Sequence, residues 1–345
     1  MKNENRYIRQ ILLDKVGELG QEKLSKSKVA VVGCGGLGSI AAPYLAGAGV
    51  GEILLIDGDY PDITNLHRQV FFTETEKRSK SEALKAHLLE LNSDIKVKSI
   101  TERLSKSNIA ILNNYDLVLE CTDHIYTKYL VNDYCALNEI PVSYGAIHKY
   151  DGYVSFFKNE SIDDIHLRDA FPEINEDIPT CSEVGVLGTL AGIIGLMQAN
   201  EAIKYLGDFG DNLNGKMWTF NILNADQMTL KLKKVYAKEM SEVFNSTDYK
   251  EDTSCNSLEV HFHTLKDTLD NYTFVSVLED YEHRSLTKNT VRVSMEECNQ
   301  WIPKQDQSYI VYCQSGKRSL KFVEDITKKY PDTKILSLKR GLKGL

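Results

Sequence analysis

"KVAVVGCGGLGSIAAPYLAGAGVGEILLIDGD" occupies residues 28–59. An apolar run of strand type leads into Gly33, Gly35 and Gly38 in the G-x-G-x-x-G spacing, and a second apolar run ends at Asp57. Strand, glycine turn, helix, strand and acid make up a nucleotide-binding βαβ unit, with a phosphate on the helix N-terminus and a ribose on the acid. The glycines bring backbone close to a phosphate, but a dinucleotide and a triphosphate can both use such a turn.

The segments downstream bear on that choice. After Asp57 and Asp59 come "TNLHRQV" at 64–70 and "KRSKSEALKAHLLELN" at 77–92, whose Arg68 and Lys80 can converge on the turn. A pyrophosphate carries two charges and is satisfied by backbone; a triphosphate carries about four and calls for side-chain cations and a metal. "LVLECTDHIYTK" sets Asp123 just past a strand end, where a carboxylate can hold Mg2+.

Around this unit, "GEILLID", "IKVKSI", "YDLVLECT", "IPVSYGA" and "YVSFF" read as further strands. "SKSEALKAHLLELN" and "CSEVGVLGTLAGIIGLMQANEAIKYL" read as helices. The alternation predicts an α/β fold with a Rossmann-like, mostly parallel sheet covered on both faces, and a ligand beyond the carboxyl ends of its strands. Residues 1–235 form this domain, polar residues 236–256 a linker, and residues 257–345 a second small α/β domain. The latter has strands at "TFVSVLE", "SYIVYC" and "KILSL" and a helix at "RSLKFVEDITKKY".

The bulk composition narrows the function classes. The chain has 345 residues, 42% hydrophobic and 26% charged, enough for two packed domains. A net charge of −8 without a dense basic block argues against nucleic-acid binding. The longest apolar stretch, 184–199, is shorter than the roughly 20 residues of a membrane span and reads as a core or interface helix. The N-terminus "MKNENRYIRQ" has no apolar secretory core. Seven cysteines, none in a C-x-x-C pair, suit a reducing cytoplasm better than a disulfide framework.

"RYIRQILL", "VVGCGGLGS", "LLIDGDYPDITNLHRQ", "KSEALKAHLLELN", "LVLECTDH" and "TCSEVGVLGTLAGIIGLMQANEAIKYL" stand in the order and spacing of the MoeB/ThiF family, which residues 5–235 therefore resemble. These adenylating enzymes, similar to ubiquitin-activating enzymes, act on ubiquitin-like sulfur-carrier proteins ending in Gly-Gly. The resemblance implies a homodimer that uses ATP. Gly36 then lies on the phosphate turn and Asp57 on the ribose. Asn65, Arg68 and Lys80 contact phosphates, Asp123 holds magnesium, and Arg9 reaches the partner subunit's ATP. Many relatives hold a structural zinc on two C-x-x-C pairs. Both pairs are missing here, so no structural zinc is expected, and His166 reads as a surface or core histidine. Taken singly, Asp57 also reads as a strand-end cap, and Arg68 and Lys80 as solvated charges.

Two cysteines are candidates for chemistry. Cys181, in "DIPTCSEVGV", precedes a helix whose dipole favours a thiolate. The resemblance gives it a covalent role toward the activated carrier, and the alternative is a small buried residue. Cys313, in "YIVYCQSGKRSLKF", ends a strand before a turn whose N–H groups, with Lys317 and Arg318, favour a thiolate or persulfide. A C-x5-R phosphatase loop needs an arginine six residues on, where Ser319 stands. "CQSGKRS" instead resembles the active loop of rhodanese-like sulfurtransferases, although Ser276 and Leu278 stand where such domains commonly carry Asp and Arg. The expected activity is adenylation of a carrier's terminal glycine, followed by sulfur transfer from a persulfide donor through Cys313, for a thiamine- or molybdopterin-type carrier. The alternatives are a scaffold with a non-catalytic rhodanese fold and an NAD-dependent oxidoreductase.

Overall fold

The computed structural model describes residues 6–161, 163–175 and 185–250, and within 258–344 all but 261, 266–268, 280, 281, 283, 295, 296, 298, 299, 305, 306, 332, 339 and 340. The chain divides into two compact units, Met1–Asp252 and Thr253–Leu345.

In the first unit, near-continuous apolar runs in the central strands fix a sheet buried on both faces there. The elements are α1 (Ile8–Ile11), α2 (Gly17–Lys26), β1 (Lys28–Val32), α3 (Gly38–Ala48), β2 (Glu52–Ile56), α4 (Lys80–Leu91), β3 (Lys96–Ile100), β4 (Leu117–Glu120) and α5 (Ile125–Leu137). There follow β5 (Val142–His148), β6 (Asp151–Phe157), α6 (Leu167–Ala170), α7 (Gly188–Gly207), β7 (Lys216–Asn221), β8 (Gln227–Lys231) and α8 (Met240–Ser246). The sheet runs β3-β2-β1-β4-β5-β6-β7-β8. Its first five strands are parallel and the last three antiparallel.

Val29 and Val31 of β1 point into a core with α3, α4 and α7, while Ala30 and Val32 point into a second core with α5. This is the period-two pattern of a strand buried on both faces. The turn after β1 is tight: a Cβ on Gly38 would lie 1.9 Å from the Gly33 carbonyl oxygen, so only glycine starts α3 there. The apolar stretch enters α7 from Gly188 on, and Leu190, Ile194 and Ala202 of that helix are fully buried. Among the described residues no helix is long and apolar enough to cross a membrane.

Two features differ from the sequence reading. Strands β7 and β8 went unread, because β8 is exposed along its whole length and lacks the apolar alternation that marks a half-buried strand. The stretch expected as a linker from 236 packs instead onto the first unit as far as residue 250. Val243 is buried, the Phe244 ring lies 5.6 Å from that of Tyr134, and the Tyr249 hydroxyl donates to Asp133 at 2.6 Å. Three well-placed apolar and aromatic side chains outweigh a polar average composition.

The second unit has a five-stranded parallel sheet, β11-β10-β12-β13-β9. The strands are β9 (Glu259–Val260), β10 (Thr273–Ser276), β11 (Thr290–Arg292), β12 (Tyr309–Tyr312) and β13 (Ile335–Leu338), with α9 at Lys317–Lys329. Phe274, Ile310, Val311, Phe322 and Leu338 form a core of its own.

Candidate active site

The strand order reverses direction between β1 and β4, the topological switch point where doubly wound sheets bind ligands. The glycine turn leaves β1 there and the Asp123 loop leaves β4. They touch: a Cβ on Gly33, whose φ is +91°, would fall 3.0 Å from the Cys121 carbonyl and the Thr122 nitrogen. Absence of that Cβ lets the two strand ends form one crevice floor.

Asp57, just past β2, faces the turn, and its Oδ2 accepts the Cys34 N–H at 2.7 Å. Burial raises its carboxyl above the usual range, against the opposing charge of Lys80. Lys80 is placed by a capping box: the Ser79 side chain accepts the Glu82 N–H, and the Glu82 carboxylate accepts the Ser79 N–H. That sets Lys80 at the first position of α4, where burial and the helix dipole both oppose its charge. The Lys80 pKa is nevertheless raised, with burial outweighed by Asp57, Asp59 and Asp123. Its Nζ lies 3.0 Å from Asp59. Asp59 also accepts Arg103 at 2.6 Å, and although burial alone would raise its carboxyl, the two cations hold it down at about 2.

Arg68 is half-buried beside the turn, and donates to Asn65 Oδ1 at 2.8 Å. Gly36 leaves room for it, since a Cβ there would meet the Ala191 Cβ at 3.2 Å and Arg68 methylenes at 3.5 Å. Beside Gly35 a Cβ would meet only Gln69 Nε2, at 3.4 Å. Beyond Arg103 a cavity of about 420 Å3 opens, lined by Gly58, Thr101, Arg103, Tyr126, Leu130 and Tyr249.

The structure thus brings together Gly33, Gly35, Gly36, Gly38, Asp57, Asp59, Asn65, Arg68, Lys80 and Asp123. It does not bring Arg9 to them. Arg9 is exposed on α1, whose Gln10 donates to the Ala48 carbonyl at the far end of α3. Cys181 lies outside the described residues. Sequence reasoning missed Arg103, a cation just past β3 and so at the same carboxyl edge as the other site residues. It also missed Glu120 and Lys128, a buried ion pair with Nζ and Oε2 2.5 Å apart, announced only by one acid in an otherwise apolar strand.

The residues fit a nucleoside triphosphate. Only Gln69 approaches Gly35, Arg68 stands beside Gly36, Lys80 and Arg103 meet on Asp59, and a cavity of about 420 Å3 lies beyond Arg103. The profile of the ThiF family matches residues 7–240. The chain belongs to the ThiF family.

SAMP-activating enzyme E1 of Haloferax volcanii is 38% identical over 224 residues, 64% of this chain and 82% of that protein. Sulfur carrier protein adenylyltransferase of Thermus thermophilus is 37% identical over 238 residues, 67% of this chain and 88% of that protein. Adenylyltransferase and sulfurtransferase MOCS3 of Culex quinquefasciatus is 38% identical over 230 residues, 66% of this chain but 52% of that protein. This ThiF-family chain spans about half the length of the MOCS3 relatives it matches. Among solved structures, Escherichia coli MccB with ATP aligns with a TM-score of 0.57 and 26% identity, over 68% of this chain and 74% of that one.

In the second unit Cys313 is fully buried at the end of β12. Its Sγ accepts the Gly316 N–H at 3.2 Å and lies 3.6 Å from the Ser319 hydroxyl. Burial acts to raise the thiol, but hydrogen bonds from Ser319, Ser315 and Gly316 outweigh it and the pKa falls below the usual thiol value. Arg318, five residues on, is engaged by Glu282 at 2.5 Å and Glu279 at 3.4 Å.

Proposed function

We propose that the first unit uses ATP to adenylate the C-terminal carboxylate of a ubiquitin-like sulfur-carrier protein, and that the second unit supplies sulfur through Cys313. The observation that carries the first half is the set of Asp57, Arg68, Lys80 and Asp123 around one glycine turn at the switch point. A relative named sulfur carrier protein adenylyltransferase, another named SAMP-activating enzyme E1, and a structural neighbour holding ATP support it.

In this reading the glycine turn and the N-terminus of α3 receive phosphates, Asp57 the ribose, and the cavity beyond Arg103 the base. Arg68 and Lys80 counter the negative charge that shifts onto the departing pyrophosphate as the carrier carboxylate attacks the α-phosphorus. Magnesium held at Asp123, an exposed carboxylate suited to an ion that keeps most of its waters, would add further positive charge. The protein acts as a homodimer, with Arg9 serving the partner subunit's site. Exposed Ile8, Leu12, Leu13 and Leu19 on and around α1 and α2 support an interface there.

The acyl-adenylate is open to attack by a persulfide on Cys313, which displaces AMP and leaves an acyl disulfide. A second thiol then attacks the Cys313 sulfur and releases the thiocarboxylate, the role proposed for Cys181. The name of the MOCS3 relatives supports sulfur transfer. Full burial of Cys313 favours a second reading of this unit as a docking fold without turnover. Transfer of labelled sulfur from a persulfide donor to Cys313 separates the two: uptake lost in Cys313→Ser supports transfer, and no uptake supports docking.

A further inference from the structure

Glu120 and Lys128 form an ion pair that the proposed chemistry does not use. Glu120 closes β4 and is 1% exposed; Lys128, in the first turn of α5, is 7% exposed. Besides Glu120, Lys128 Nζ donates to the Gly145 carbonyl at 2.9 Å and sits 5.0 Å from the Tyr144 ring centroid. A buried pair is weak support for stability, because desolvating both charges offsets their attraction.

What this pair does is hold the turn after β4. The second carboxylate oxygen of Glu120 accepts the Thr122 N–H at 2.9 Å and also the Thr122 hydroxyl. The Glu120 carbonyl accepts Gln198 Nε2 of α7 at 2.7 Å, and the same nitrogen donates to Ser143 of β5 at 3.1 Å. Gln198 Oε1 accepts from Cys121 Sγ at 3.5 Å. Gly145 makes the room, since a Cβ there would lie 2.3 Å from the Gln198 amide. Residues 120–122 are therefore gripped from α5, β5 and α7 at once, with the backbone at Gly33 pressed against them. The next residue is Asp123, exposed, whose charge helps to keep Lys80 protonated.

We infer that Glu120, Lys128 and Gln198 are positioning residues, which fix the 120–122 turn so that the Asp123 carboxylate stands beside Lys80 and the glycine turn. The inference rests on the reading that Asp123 serves adenylation. None of the three needs to touch the nucleotide. They act through Asp123.

The test is carrier-dependent ATP–pyrophosphate exchange by the full-length protein. Glu120→Leu with Lys128→Met removes both charges together, leaves neither unpaired, and takes the acceptor from Thr122. We expect a thermal midpoint lowered by only a few degrees, from the Thr122 and Gly145 groups left without partners, a kcat about 10–100-fold lower and a KM for ATP within about twofold, as for a misplaced group that acts in the transition state. Adding Asp123→Asn to this pair produces no further loss, because both changes remove the same contribution. A native kcat in the Leu/Met protein, or a loss that multiplies with that of Asp123→Asn, overturns the positioning role. A native kcat in Asp123→Asn alone overturns the assignment of Asp123 itself, and the positioning role with it. If the Leu/Met protein does not fold, Thr122→Val decides: a lower kcat at unchanged KM supports the grip, and native kinetics overturn it.

Discussion

Asp59 receives Lys80 and Arg103 together, and its carboxyl titrates at about 2, where an ordinary aspartate titrates near 3.9. The lowered value stabilises the folded state above pH 4, and that contribution disappears as the pH falls toward 2. The side chain is 34% exposed, so after allowance for solvent screening the effect is about 1–2 kcal/mol. The gap in thermal midpoint between the native protein and Asp59→Asn is expected to hold its full size from about pH 5 upward and to shrink as the pH falls through 2, read by calorimetry across that range. Cys313 behaves in the opposite sense to Cys121 and Cys135, whose pKa values burial raises. Alkylation at Cys313, followed by mass spectrometry of its peptide, is expected to rise at lower pH than for an ordinary thiol, because, against burial, hydrogen bonds from Ser319, Ser315 and Gly316 favour the thiolate. Ser319→Ala, which removes a hydroxyl 3.6 Å from the sulfur, shifts that rise to higher pH. At this scale Asp57 and Asp123 stood out in the sequence as acids just past apolar runs and Lys80 as a cation at a helix start, while Arg68 was singled out as a cation in the "TNLHR" stretch able to converge on the glycine turn. Arg103 and the Glu120–Lys128 pair were not, because their partners lie 44 and 8 residues away in sequence and meet only in the folded sheet.

The turn from β1 to α3 separates two kinds of glycine requirement. Gly38→Ala drives a Cβ to 1.9 Å from a backbone oxygen that cannot yield, so a destabilisation of about 3 kcal/mol or more and loss of ATP binding are expected in denaturation and titration. Gly36→Ala meets side-chain atoms at 3.2 and 3.5 Å, one group of them on the mobile stem of Arg68. It is expected to leave stability within about 1 kcal/mol while weakening ATP binding, because Arg68 must move. A Gly36→Ala protein as unstable as Gly38→Ala contradicts this division. The central parallel strands β1, β2 and β4 were legible, since they are buried almost throughout and read as continuous apolar runs, while edge strand β3 showed as an alternation of exposed lysines with Val97. Strand β8, exposed throughout, carries no such contrast, and β7 is only partly buried. The helix at 240–246 is too short for periodicity to show, and packing on α5, rather than composition, decides it.

The two units each have a core that closes on itself, one in two layers around an eight-stranded sheet and the other around a five-stranded one. Separate roles for the two units are then expected. A chain ending at residue 252 keeps the glycine turn, Asp57, Lys80 and Asp123, and is expected to retain pyrophosphate exchange while losing sulfur uptake. Loss of exchange on that truncation contradicts separate roles. At this scale the α/β class and the ThiF-type order of motifs could be read directly, because widely spaced motifs agreed. The end of the first unit could not, because residues 236–250 look like a linker until Tyr249 is seen bonded to Asp133 and lining the cavity beside Arg103. The central claim is that one crevice at the β1–β4 switch point activates a carrier carboxylate with ATP. Its most direct test is ATP–pyrophosphate exchange by the full-length protein with magnesium and a panel of Gly-Gly-ending carriers. The account predicts exchange that requires one of those carriers and is abolished by Lys80→Ala; ATP binding without exchange for any carrier contradicts it.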